Sequence, residues 1–362
     1  ETDVEAQKHH EDVGYVGREF GQAELIDAFQ CTECFGAAVT GAHLIGGHSG
    51  EECVGPAGSF AVVCCSVLLH FHATAYGACS YQPRAFYDEE QNKKKYFYYN
   101  EFRKGESYTY SEDCLFLNIF TPDTAKEGQK LPVLLYIHGG GFTGGCGHEK
   151  HFDGPVWPTK GVIGVTLNYR LGPMGFVCLP ELKEEAGRTG NYGLFDQHTA
   201  IQWVKNNIAS FGGDPDNVTV MGQSAGAMSV QQHCLSPLSK GLFHKAVMSS
   251  GGGVSKILSA APAEKHYAFW QKAMENAGCE TLEQFRALPA ETIFQQWQIA
   301  KKEIKGGGMS TVPVKDGLFI TDSKAAKDIS YMAGSTSEDM MPPILLSMAR
   351  NWCCLLYTSD AA

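Results

Sequence analysis

From about residue 130 the chain alternates short apolar runs with segments of helical spacing, and this alternation restricts the fold more than any other feature. LPVLLYIHG (Leu131 to Gly139) and GVIGVTLNY (Gly161 to Tyr169) are nearly continuous in apolar residues, as strands buried on both faces are. GLFDQHTAIQWVKNNIASFGG then sets Leu194, Ile201, Val204 and Ile208 near helical spacing and closes on Gly212. NVTVMG reads as the next strand, Ala225 to Leu235 as the next helix, and HKAVMSSGG as another short strand. From Ala263 onward, EKHYAFWQKAMENAG and ETLEQFRALPAETIFQQWQIAKK read as two or more amphipathic helices inserted before a strand at ISYMAGS. The pattern predicts an α/β fold with a mostly parallel central sheet flanked by helices.

Charge narrows the function classes. The formal net charge is -11, from 40 acidic against 29 basic residues, so a basic footprint for nucleic acid or anionic lipid is missing and a small neutral or cationic ligand is expected. The longest apolar stretch, SFAVVCCSVLLHF, is too short to span a bilayer. The N-terminus, ETDVEAQKHHED, has no basic region followed by an apolar core, so no signal peptide is expected and a cytoplasmic location is favoured. The 13 cysteines are odd in number and irregular in spacing, which argues against a full disulfide framework. Cys31 and Cys34 form a CxxC with no second pair, so neither a metal nor a cofactor is expected. Asn217-Val218-Thr219 fits a glycosylation sequon, but it lies on a strand feeding the core, where structural use is expected.

The chemistry centres on Gly222-Gln223-Ser224-Ala225-Gly226, a G-x-S-x-G between the strand NVTVM and the helix AGAMSVQQH. That setting suits a sharp strand-to-helix turn that presents a serine nucleophile, with glycines where neighbouring backbone packs closely. The bland alternative for Ser224 is an N-cap of a core helix. A serine attacking a carbonyl also needs donors for the oxyanion it creates. His138-Gly139-Gly140-Gly141-Phe142, at the end of an apolar strand, can supply backbone N–H groups. Gly139, Gly141 and Gly144 also satisfy G-x-G-x-x-G, but they run into CGHEKHFDGP instead of a helix, and the next strand ends Asn168-Tyr169-Arg170 without an acid, which disfavours a dinucleotide site.

With these blocks in hand the chain resembles the type-B carboxylesterases, the cholinesterase-like branch of the α/β-hydrolases. The resemblance rests on SEDCLFLNIFTP (Ser111 to Pro122), the IHGGGF block, LNYRLGPMGF, GNYGLFDQHTAIQWVKNNIASFGGDPDNVTVMGQSAG and GLFHKAVMSSG. It implies an α/β-hydrolase catalytic domain over residues 72–352, with Ser224 as nucleophile, Gly140, Gly141 and Ala225 as oxyanion-hole donors, and His138 as a structural residue before the glycines. The family's acid falls in the turn Gly334-Ser335-Thr336-Ser337-Glu338-Asp339-Met340, on Asp339, with Glu338 as the alternative. Capping of a following helix is the other use open to both. The resemblance also implies a Cys79–Cys114 disulfide, which would close a loop of about 36 residues and stabilise by roughly 3 to 4 kcal/mol. Gln223, where cholinesterases commonly have Glu, argues against a choline-ester specialist.

One member of the triad is missing. Such hydrolases run Ser, Asp or Glu, His along the chain, yet the last histidine here is His266, ahead of both acid candidates. His198, His233 and His244 sit in or beside helices where packing roles are expected. The expectation is therefore a C-terminally truncated serine esterase, acting on a small-molecule ester through an acyl-enzyme and inactive as this stretch alone. The alternative is a non-catalytic cholinesterase-like binding protein. Residues 353–362 read as an adaptor-derived tail, and residues 1–71 stay unassigned, with a shifted reading frame as the explanation offered.

Overall fold

The computed structural model describes residues 14–19, 60–64, 67–71, 75–82, 100, 104–150, 154, 156–252, 260–322 and 328–335, the strands at 14–19, 60–64 and 67–71 by backbone alone. Its centre is a seven-stranded sheet. In chain order the strands are β1 (Gly14–Glu19), β2 (Phe116–Thr121), β3 (Leu131–Ile137), β4 (Ile163–Leu167), β5 (Gly213–Gln223), β6 (Lys245–Ser249) and β7 (Ser330–Gly334). Spatially they run β1-β2-β4-β3-β5-β6-β7. β1 and β2 are antiparallel to their neighbours, and β4, β3, β5, β6 and β7 pair in parallel. This is the mostly parallel sheet expected from the alternating sequence, in the α/β-hydrolase arrangement that the resemblance implies.

The buried strands are those with continuous apolar runs. Every residue of β4 is buried, and Val133, Leu135 and Ile137 of β3 face the same core as Val218 and Val220 of β5. Each such side chain contributes about 1.5–3 kcal/mol on leaving water. Helix α1 (Tyr192–Asn207) lays Leu194, Ile201 and Val204 on this core and ends through a short 3₁₀ turn at Gly212, whose φ of 83° suits a residue without Cβ. Helix α2 (Ala225–Leu235) follows β5 directly. On the sequon, Val218 is buried, while the Asn217 side-chain Oδ1 accepts a 2.6 Å bond from Lys245 Nζ.

The segment between β6 and β7 builds a second core. Helices α3 (Glu264–Asn276) and α4 (Ala290–Glu303), with the short helix Leu282–Arg286 between them, bury Phe269, Trp270, Phe285, Phe294 and Trp297 against Leu179, Leu182 and Val314. Asn191 ties this layer to the sheet layer, since its side chain both accepts from Val314 N (2.9 Å) and donates to Val314 O (2.7 Å). Among the described residues no helix is long and apolar enough to cross a membrane.

Candidate active site

Ser224 occupies the one-residue turn between β5 and α2 with φ 54° and ψ -119°, a backbone conformation that side-chain-bearing residues rarely adopt. The turn is compressed from three sides. A Cβ on Gly222 would run into the Gly226 backbone, and one on Gly226 into the Ile137 carbonyl, which accounts for both glycines of the motif. A Cβ on Gly251, in the loop after β6, would lie 2.5 Å from the Ser224 carbonyl. The Ser224 N–H donates to Ser249 O at 2.9 Å. Strain of this kind costs on the order of 1–3 kcal/mol and persists only where the surroundings enforce it.

Ser224 stands at the N-cap position of α2, yet its hydroxyl makes no capping bond. Among the described residues nothing hydrogen-bonds to that hydroxyl, and the residue is half-buried. The glycine loop comes up to it from the end of β3: a Cβ on Gly139 would lie 3.3 Å from Ser224 Cβ and 2.8 Å from the Gln223 carbonyl. Gly140 and Gly141 have φ of 102° and 63°, and the Gly140 carbonyl accepts from both Thr143 N and Gly144 N at 3.1 Å. Among the described residues the Gly140 and Gly141 amides donate to no protein acceptor. Ala225, the first residue of α2, has an amide that the helix itself leaves unpaired. The three expected oxyanion donors thus lie on the two segments that meet at Ser224.

His138 is the post around which the loop turns. It is fully buried, its ring stacks on Tyr169 at 4.4 Å, and its carbonyl accepts from Tyr169 Oη at 3.0 Å. Next along, Arg170 clasps Asp196 of α1 through Nε (2.9 Å) and Nη2 (2.7 Å), a bidentate charge-assisted pair that also takes the Arg170 amide. Asn168, Tyr169 and Arg170 lie past the end of β4, where sequence reasoning continued the strand. Each ties a different neighbour, a role that apolar periodicity cannot signal.

The side chains of His233, His198 and His244 are engaged elsewhere. His233 and His198 belong to a buried polar chain behind α2: His198 Nδ1 to Ser239 Oγ (3.3 Å), Ser239 Oγ to His233 Nδ1 (3.0 Å), and His233 Nε2 to Gln197 Oε1 (3.1 Å). Gln197 Nε2 continues to Ser229 Oγ (3.1 Å), which donates to the Ala225 carbonyl (3.1 Å). Burial holds His233 well below the usual histidine range, with His198 adding to it, and lowers His198 and His266 as well. His244 Nδ1 accepts from Val218 N at 3.3 Å, at the middle of β5 and five residues before Gln223.

Asp339 and Glu338 lie outside the described residues. β7, the strand before them, lies at the edge of the sheet next to β6. Gln223 pairs with Ser249 and Ser249 with Gly334, so Gly334 ends two strand spacings, about 10 Å, from the residue before the serine.

The expected Cys79–Cys114 bridge is corrected by the structure, where both are thiols. Cys79 and Ser80 are neighbours on the two-residue strand Cys79–Ser80, and neighbours on a strand point to opposite sides. Ser80 is the one that meets Cys114; it hydrogen-bonds that thiol and donates to Tyr169 O at 2.6 Å. Burial pushes the Cys114 thiol up to about 12.

The model of the carboxylesterase family matches residues 69–351. The chain belongs to that family. This carboxylesterase-family chain is 40% identical over 251 residues to a bile salt-activated lipase of Mus musculus, covering 63% of this chain and 41% of the lipase. It is 46% identical over 197 residues to a para-nitrobenzyl esterase of Bacillus subtilis (strain 168), covering 53% of this chain and 39% of the esterase. A solved structure of a thermophilic para-nitrobenzyl esterase superposes with a TM-score of 0.62 at 33% identity, over 72% of this chain and 52% of that one. The chain therefore spans about 40% of the length of these curated relatives.

Proposed function

We propose that this chain carries the nucleophile and oxyanion hole of a serine esterase that hydrolyses small carboxylic esters through an acyl-enzyme. The observation that carries the reading is the Ser224 hydroxyl, held at positive φ and unused in capping, where the glycine loop meets the helix start. Family membership and esterase relatives support ester substrates. Ser224 Oγ adds to the ester carbonyl carbon, and the amides of Gly140, Gly141 and Ala225 take the negative charge on the carbonyl oxygen. The bond to the alcohol then breaks, the alcohol leaves with the serine proton, and water releases the acid. Asp339, with Glu338 as the alternative, orients the imidazole that relays the proton.

That imidazole is the gap. None of the described histidines hydrogen-bonds to Ser224, and no histidine follows Asp339 in the sequence. The 362 residues alone are accordingly proposed to turn over esters on the order of 10⁴ to 10⁶ more slowly than a complete triad. The test compares p-nitrophenyl acetate hydrolysis by these residues, by the same chain expressed with the continuation of its reading frame, and by the extended Ser224→Ala variant. The extended chain should gain at least about 10⁴ and the Ser224→Ala variant should lose it. A continuation without histidine, or equal turnover with Ser224→Ala, sinks the proposal and favours the non-catalytic binding protein.

A further inference from the structure

Behind the glycine loop, three side chains from two distant stretches of chain converge. Cys79, Cys146 and His148 bring one sulfur, one sulfur and one ring nitrogen within 4.8 Å of one another. The two cysteines are fully buried and the histidine is half-buried. Cys79 Sγ lies 3.6 Å from His148 Nε2, across 69 positions of sequence. That distance is informative. Two ligands at a tetrahedral angle, with Zn–S of about 2.3 Å and Zn–N of about 2.0–2.1 Å, stand about 3.6 Å apart.

The surroundings hold these atoms in place. Asn168 joins both ligand-bearing segments, accepting from Gly147 N at 2.8 Å through Oδ1 and donating to Ala78 O at 2.9 Å through Nδ2. Ala78 precedes Cys79, and Gly147 separates Cys146 from His148. A second clamp lies one step outward, where the Gln82 side chain both donates to Gly145 O and accepts from Gly145 N at 2.9 Å. A Cβ on Gly147 would sit 2.8 Å from Leu167 O, so the loop is seated directly on β4. The His148 ring is stacked by Tyr76 at 4.5 Å and Tyr108 at 5.4 Å, which fixes the direction of Nε2. Hydrogen bonds and stacks that orient ligands in this way are a recurring mark of metal sites.

We propose that Cys79, Cys146 and His148 form a zinc site, with water in the fourth position. Two thiolates and an imidazole are a soft donor set that selects zinc over calcium or magnesium, which take oxygen ligands. Binding replaces two S–H protons, which leave to solvent, by one Zn²⁺. The product, a dication with two thiolates and a neutral imidazole, carries no net charge, as a mostly buried site requires. The ion pins the stretch that follows Gly140 and Gly141 to the strand Cys79–Ser80, a structural role independent of ester chemistry.

The test is metal binding to the reduced, chelator-stripped full chain in a Cys31→Ser/Cys34→Ser background, which removes the one CxxC. Titration with zinc against a chromophoric competitor should show one tight equivalent. His148→Gln and Cys146→Ser should weaken it at least about 100-fold, and Cys114→Ser should leave it unchanged. Cobalt in place of zinc should give thiolate-to-cobalt charge-transfer absorption and tetrahedral visible bands, a readout that needs no substitution at the buried cysteines. Absence of the thiolate–cobalt absorption, or equal zinc affinity in the background chain and its His148→Gln variant, overturns the proposal; the trio is then a hydrogen-bonded thiol–imidazole core cluster. Neither readout involves ester turnover.

Discussion

At the scale of single residues, the turn at Ser224 exchanges stability for presentation of a hydroxyl. Its positive φ is tolerable for glycine and strained for serine, and Gly222, Gly226 and Gly251 leave no room for relief. Ser224→Gly should therefore be more stable than Ser224→Ala by about 1 kcal/mol, measured by urea unfolding, although both lack the hydroxyl. Equal stability would mean that the backbone there is unstrained. The serine and its glycines were legible in the sequence because close backbone approach admits only residues without a side chain. The Cys79–Cys146–His148 cluster was not legible, since its members meet only once the loop after β3 is seated on β4. The family resemblance, not the residues themselves, had put Cys79 rather than Ser80 opposite Cys114. Strand alternation decides that choice, and it cannot be set until the pairing of Cys79–Ser80 with Tyr110–Ser111 is known.

Among elements, legibility followed local apolar pattern and only partly burial: the largely exposed β7 was read as a strand from ISYMAGS, while β2, buried at five of its six positions, was not. The strands β3 to β6 and helices α1 to α4 were visible as apolar runs and helical periods because each is packed by the core on one face or two. β1 was missed. Its sequence, GYVGRE, is short, charged and rich in glycine, and it pairs along one side only, at the sheet edge. The helical insert between β6 and β7 offers an element-level prediction. Trp297 of α4 is almost fully buried, donates from Nε1 to Ser310 Oγ at 2.9 Å, and carries Lys301 Nζ at 4.3 Å over its ring. Trp297→Ala should cost about 3–5 kcal/mol and Trp297→Phe distinctly less, because Phe keeps most of the apolar volume and loses only the indole bond. Denaturant midpoints check this, and a loss below 1 kcal/mol for the alanine variant would show the second core to be dispensable.

For the molecule as a whole, the buried polar chain behind α2 couples folding to pH. Its hydrogen bonds run in one direction when His233 is neutral: Nδ1 accepts from Ser239, Nε2 donates to Gln197, and the chain ends on the carbonyl of Ala225, whose amide is proposed above as an oxyanion donor. A second proton on His233 would turn the Ser239 hydroxyl from donor to acceptor and place a charge at a fully buried position beside His198. The folded state therefore resists protonation, burial being the larger cause, while the unfolded histidine takes up its proton near the ordinary value of 6.5. Below that value the unfolded chain binds more protons, so stability is fully present above it and drains away as pH falls. The lowered carboxylates Glu185 and Glu264 start from 4.5 and Asp216 from 3.8, so their contribution is lost at lower pH. The urea midpoint should consequently drop between about pH 7 and pH 5, where histidines dominate. His233→Gln should lower stability at pH 7 and flatten that drop. A slope unchanged by the substitution would place the proton uptake at His198 or His266, the other histidines lowered by burial.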